Sequence, residues 1–298
     1  MAVTFDRIGV VVHPRRELGT ALATLARWSA EYGAEVVQIG RTGDGQEVAP
    51  AAEPSACDLV VALGGDGTTL VALHRAATVG RPVLGVACGS LGALTAVTAD
   101  RLEAALDRVA AGDWTERVLP ALIAEADGER LEALNDVVLV RDGAGQVAVE
   151  ISVDGEVYVR FAGDGLVAAT PLGSSAYTLA AGGPLVLPAA AAFALTPLSP
   201  HGGVCPPLVA TAGTGVTILF DAGNGGARVE VDGQVIRRQA PSEQLVLELG
   251  WRPRAAVLVS LGDQEPLLAA LRRRRILIDS PRVLARDDRE AAALESTA

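Results

Sequence analysis

The hydrophobic period of this chain changes near residue 112, and that change limits its possible folds more than any other feature. Before it, short apolar runs alternate with helical stretches. RIGVVV at 7–12 leads to a helix around Glu17 to Tyr32, then AEVVQIG, then DLVVALGG, a helix from about Thr68, VLGVA, and a helix from Asp100 to about Ala110. Strands separated by helix-length segments read as βαβ units, which build a parallel sheet. After Gly112 the chain becomes alternating and turn-rich, with ALNDVVLVRD, QVAVEISVDGEVYVRF, GTGVTILFD, ARVEVDGQVIRR, QLVLEL and AAVLVSLGD as strands. Short strands joined by Asp-Gly or Gly-rich turns read as a sandwich. The expected fold is α/β plus all-β: a doubly wound parallel α/β domain over 1–111 and a β-sandwich-like domain over 112–265. A C-terminal segment, 266–298, is expected to pack back on the first domain.

Composition excludes several functions. The formal charge of -11 and ten aromatic residues oppose nucleic-acid binding, which needs a basic surface with stacking rings. The one basic cluster, Arg272 to Arg275, reads as the solvated end of a helix. Cys57, Cys88 and Cys205 are odd in number and far apart, which points to a reduced, cytoplasmic protein without a zinc or redox motif. The N-terminal stretch lacks a signal pattern, and no apolar run approaches the ~18 residues that span a bilayer, so no membrane partner is expected. All 25 basic residues are arginine. Without lysine there is no Walker A loop, no protein-kinase lysine and no Schiff base, so a phosphate must meet backbone amides, arginine or metal.

Asp-Gly occurs seven times, and its commonest meaning is a hairpin turn. Asp127-Gly128, Asp142-Gly143, Asp154-Gly155 and Asp232-Gly233 fit that meaning. Asp66 does not. It follows the apolar run LVVAL and precedes a helix, at the carboxyl end of a parallel strand, where open α/β sheets bind ligands. Gly64, Gly65 and Gly67 permit a sharp turn and close approach to a phosphate, and the helix from Thr68 offers unpaired N–H groups. From the residues alone, a tight strand-to-helix turn is the alternative. A second stretch, GDGLVAATPLGSSAYTLAAGGPLVLP at 163–188, makes a poor core and a good polar loop against a flat ligand, and from composition alone a Gly/Ser surface loop is the alternative.

Together these stretches resemble the ATP-NAD kinase family, over about residues 5 to 265. Gly64-Gly65-Asp66-Gly67-Thr68 is its GGDGT motif, shared with diacylglycerol and sphingosine kinases, and TPLGSSAY with Gly-Gly-Pro is its more specific signature. GVACGSLGALT, ALND and LTPLSPH follow the family's order and spacing. The resemblance implies phosphoryl transfer from ATP, or polyphosphate, to the 2′-hydroxyl on the adenosine ribose of NAD, giving NADP. Asp66 would orient that hydroxyl and accept its proton late. Asn135 and Asp136 would bond the ribose and nearby groups, Asp164 would accept from the adenine amine, and Thr170, Ser174, Ser175, Ala176 and Tyr177 would line the adenine and ribose pocket. Mg²⁺ or another divalent metal is expected from the triphosphate chemistry rather than from a ligand cluster. The family's habit implies a homodimer or homotetramer.

Three positions and one segment depart from the family pattern: Asp136 replaces glutamate, Ala93 phenylalanine and Pro206 arginine, and RRRRILID stands where the family has Lys-Leu-x-Trp. Two other readings remain at this point: a paralogue phosphorylating another nucleoside or sugar hydroxyl, and a non-catalytic NAD-binding sensor.

Overall fold

A computed structural model describes residues 5–40, 45–262 and 265–286. Its first section runs β1 (Arg7–Val12), α1 (Gly19–Tyr32), β2 (Glu35–Ile39), β3 (Ala51–Ala52), β4 (Leu59–Gly64), α2 (Asp66–Ala77), β5 (Pro82–Ala87), β6 (Val97–Thr98) and α3 (Leu102–Ala110). There follow β7 (Thr115–Ala126), β8 (Glu129–Ala133), β9 (Asp136–Arg141), β10 (Val147–Val153), β11 (Glu156–Gly163), β12 (Gly165–Ala169) and α4 (Tyr177–Ala180). The remainder is β13 (Ala192–Leu198), β14 (Leu208–Thr211), β15 (Val216–Asp221), β16 (Ala227–Val231), β17 (Gln234–Gln239), β18 (Gln244–Ser260) and α5 (Leu267–Arg273).

The strands β5, β4, β1, β2 and β3 lie side by side in parallel. Their apolar runs are continuous because both faces are covered. Val10, Val12, Val61 and Leu63 pack under α1 and α3 with Leu25, Trp28 and Leu106. Val11, Val60 and Ala62 face the opposite way, against Leu70 and Leu73 of α2. This is the doubly wound arrangement expected, although α2 begins at Asp66 rather than Thr68.

The second section is a sandwich of antiparallel strands. One sheet has the order β14-β13-β12-β9-β16-β17, and β11, β10, β15, β18, β7 and β8 belong to the other. Val216, Ile218, Phe220, Val229, Phe193 and Leu247 meet between them. In β15 and β16 every second residue is buried, which is the alternation read from the sequence.

Four features differ from the expectation. QLVLEL and AAVLVSLGD are one strand, the 17-residue β18, whose first part pairs with β15 and whose end pairs in parallel with β5. The two sections therefore share a 12-stranded sheet. The strand β7 contains Pro120, opposite the register break between Arg252 and Ala256 of β18, where a missing N–H is tolerated. The strands β12 and β13 are buried at every position, because a second apolar layer covers their outer side, so they carry no period of two. Positive φ marks the turns at Asp127, Asp154 and Asp232, but neither Asp142 nor Gly143 has it; the β9–β10 connection is a longer loop with its positive φ at Gly145.

Candidate active site

The strand β4 is buried along its whole length and delivers the chain to the sheet's carboxyl edge at Gly64. A side chain at Gly64 would collide with that of Thr68, so this position requires glycine for packing. Gly65 and Gly67 have open space where a Cβ would point. The first turn of α2 has no side-chain cap, and its amides face a groove of about 510 Å³. Arg16, Arg75 and His13 also line that groove. Arg75 is partly committed, donating to the carbonyls of Ile39 at 2.5 Å and Gly40 at 2.9 Å. Thr68 lines the groove at 8% exposure.

Asp66 is the first residue of α2 and lines the groove, and its carboxylate is held by the 92–95 loop. The N–H of Ala93 donates to Oδ2 and that of Leu94 to Oδ1, each at 2.9 Å. Thr95 Oγ1 accepts from the Gly92 N–H at 2.8 Å, and Arg117 Nη1 donates to the Ala93 carbonyl at 2.9 Å, which fixes the loop that holds the carboxylate. Burial pushes the Arg117 guanidinium below its ordinary pKa, and the nearby Asp66 charge opposes that shift. Beyond this loop lies a cavity of about 270 Å³, between Leu91–Ala93, Pro171–Leu172, Ser175 and α5. Asp66 thus stands between a groove and a cavity that, among the described residues, share no lining residue.

A second constellation centres on Asp232, which in the sequence fits a hairpin turn at least as well as a ligand role. It is a turn residue, with φ of 50°. Its carboxylate also accepts from the N–H groups of Leu134 at 2.9 Å, Asn135 at 2.7 Å and Asp136 at 3.0 Å, and lies 2.5 Å from His74 Nε2. His74 stands two turns after Asp66 on α2, so Asp232 links that helix to the Asn135–Asp136 loop. Asp136 is 6% exposed, and burial first, then the charges of Asp232 and Glu230, raise its carboxyl to about 7.

The 170–177 loop locks onto the same segment. Thr170 Oγ1 donates to the Leu134 carbonyl at 2.6 Å, and the Thr170 N–H donates to the Asn135 carbonyl at 2.9 Å. Ser174 is fully buried, donates to the Pro171 carbonyl at 2.7 Å and accepts from the Val186 N–H at 2.9 Å. Thr170 and Ser174 therefore hold the loop's shape in this chain, while Ser175 lines the cavity. Ala176 leads into α4. Asp164 and Tyr177 lie elsewhere, on a groove of about 500 Å³ with Arg141 and Ser199. Arg141 Nε donates to Asp164 Oδ1 at 2.6 Å, and that bond, with Ser199, holds the Asp164 carboxyl below the usual range.

Sequence reasoning missed Asp232, His74 and Arg117. The Asp-Gly turn conceals the carboxylate's second task, His74 looks like one of three scattered histidines, and Arg117 sits in a strand whose pattern Pro120 interrupts.

Comparison with known proteins bears on what this site serves. Residues 6–114 match the model of the ATP-NAD kinase N-terminal domain, and residues 134–258 that of the ATP-NAD kinase C-terminal domain. An NAD kinase of Chlorobium phaeobacteroides is 32% identical over 257 residues, covering 81% of this chain and 88% of that one. An NAD kinase of Gemmatimonas aurantiaca is 40% identical over 205 residues, covering 66% and 70%. Among solved structures, yeast NADH kinase complexed with NADH superposes with a TM-score of 0.77 at 19% identity, covering 93% of this chain and 89% of that one. An NAD kinase from Archaeoglobus fulgidus in complex with ATP gives 0.65 at 22% identity, covering 87% and 94%. These two structures establish the shared fold, and the family models and relatives establish the lineage: the chain belongs to the ATP-NAD kinase family.

Proposed function

We propose that this chain performs the reaction of its family, transferring a phosphoryl group from ATP, or polyphosphate, to the 2′-hydroxyl on the adenosine ribose of NAD to give NADP. The observation that carries this reading is the position of Asp66, a carboxylate fixed by two backbone amides between an amide-lined groove and a separate cavity. The donor's phosphates lie in the groove, against the first-turn amides of α2 and the Thr68 hydroxyl. The acceptor lies on the cavity side, with Asn135 and Asp136 at its ribose. Phosphoryl transfer passes through a loose transition state, so alignment and charge neutralisation dominate. Asp66 aligns the hydroxyl and takes its proton late.

Among the described residues Asp66 is the one carboxylate on the groove, which suits Mg²⁺, an ion held chiefly by substrate phosphates and one or two carboxylates. When bound, it neutralises phosphate charge. We also infer a homodimer or homotetramer, supported by Val157 and Tyr158 exposed on β11 at the edge of the larger sheet, and a cytoplasmic location, supported by the three free cysteines. A monomer by light scattering would overturn the inferred oligomer. Asp164 and Tyr177, which line a separate groove, are assigned to the adenine end of the acceptor.

The test is NADP formation from NAD, ATP and Mg²⁺ by the wild type and Asp66→Ala. The expected result is NADP from the wild type and a loss of about 10²-fold or more in the folded variant, the scale of one positioned proton acceptor. No NADP from the wild type would overturn the reading.

A further inference from the structure

The cavity beyond Asp66 is lined by both apolar and basic side chains. Leu91, Ala93, Leu172 and Leu271 are among the apolar ones, and Arg117 and Arg274 are its two arginines. Arg117 uses Nη1 on the Ala93 carbonyl, and its Nε and Nη2 have no hydrogen-bond partner among the described residues. Arg274 follows α5. Two nearby arginines are neutralised, Arg272 by Asp279 at 2.6 Å and Arg273 by Glu265 at 2.9 Å, while Arg275 does not line the cavity. Arg274 has no ion pair among the described residues. Glu265, the carboxylate on the cavity wall, is already matched by Arg273. Two guanidinium groups with free donors beside an apolar wall call for an anion, and their forked geometry suits phosphate.

The same loop fixes which substrate this anion belongs to. Ala93 donates its N–H to Asp66 and accepts from Arg117 at its carbonyl, so Arg117 sits one residue's length from the carboxylate that handles the acceptor. The donor groove lies on the other side of Asp66 and, among the described residues, shares none with the cavity. We propose that Arg117 and Arg274 form an anion subsite for a phosphate of the acceptor nucleotide. The subsite makes a phosphorylated acceptor bind better than its nucleoside. The assignment to the acceptor rests on the kinase reading above.

Titration calorimetry without donor tests it, using NAD, 5′-AMP and adenosine with the wild type, Arg274→Ala and Arg274→Lys. Arg274 is exposed, so its variants should fold. The expected result is a Kd about 10-fold higher for NAD and 5′-AMP in Arg274→Ala, partial recovery in Arg274→Lys, and no change for adenosine. In steady state, the KM for NAD rises while that for ATP stays constant. Arg117→Lys, which keeps the charge but loses the fork, should show the same discrimination in milder form. Unchanged NAD binding in Arg274→Ala, or equal weakening of adenosine and 5′-AMP, overturns the subsite. If Arg274→Ala binds NAD normally while the wild type makes NADP, the subsite fails and the kinase reading stands. If the wild type makes no NADP yet loses 5′-AMP affinity through Arg274→Ala, the kinase reading fails and the subsite stands.

Discussion

Replacing Gly92 by alanine would put a methyl group well inside van der Waals distance of Asp66 Oδ1 and Cγ. Either the Asp66 side chain swings away or the 92–95 loop retreats. Swinging Asp66 gives up the bonds from Ala93 and Leu94, each at 2.9 Å. Hydrogen bonds to a charged group contribute about 1.5–3 kcal/mol each, so the aligned carboxylate becomes less favourable by about 3–6 kcal/mol. At about 1.4 kcal/mol per tenfold, that lowers kcat by about 10²–10⁴. Moving the loop instead disturbs the bonds from Gly92 to Thr95 and from Arg117 to Ala93, and lowers Tm by several degrees. The assay is NADP formation with thermal unfolding by circular dichroism. Gly65→Ala is the internal control, because Gly65 has extended backbone and nothing within 4 Å of its Cβ position. That variant should keep its Tm and change chiefly the KM for ATP. A Gly92→Ala protein with both wild-type kcat and wild-type Tm would refute the account of how Asp66 is held.

Two further outcomes follow from the buried carboxylates. Asp232→Asn keeps the shape but turns a charged acceptor of three amides into a neutral group; it should destabilise by about 2–4 kcal/mol, and an unchanged Tm would show that those bonds matter little. Asp136 titrates near 7 in the folded chain against an ordinary value of 3.8, so between those values the folded state holds a proton that the unfolded state has lost. Its contribution therefore falls as pH rises from about 4 to about 7 and levels off above, by an amount on the order of a few kcal/mol. Asp136→Asn stays neutral, so its stability relative to wild type in urea unfolding should grow across that window; parallel profiles for the two proteins would contradict this.

The parallel section is legible in the sequence because its strands are short, largely apolar and mostly separated by helices, a pattern few other folds produce. The Asp66 loop is legible too, since three glycines at a strand end seldom serve packing alone. The structure qualifies this: Gly64 is required by its own helix, whereas Gly65 and Gly67 leave open space. Other parts are hidden for physical reasons. Pro120 masks β7, double burial erases the alternation of β12 and β13, and the GWRPR interval conceals the continuity of β18.

The class of fold, the family resemblance and the candidate catalytic carboxylate can all be read along the chain, because local periodicity and motif spacing are properties of contiguous residues. Which distant groups hold that carboxylate and its surroundings is a matter of how the whole chain packs. The amides that grip Asp66 come from residues 27 and 28 positions away, the carboxylate that fixes Asn135 from nearly 100 positions away, and the second cavity arginine from the end of α5. Backbone amides carry no sequence signal, and a buried charge finds its partner only when remote segments are brought together. That is why the separation of donor groove, Asp66 and basic cavity emerges only in three dimensions.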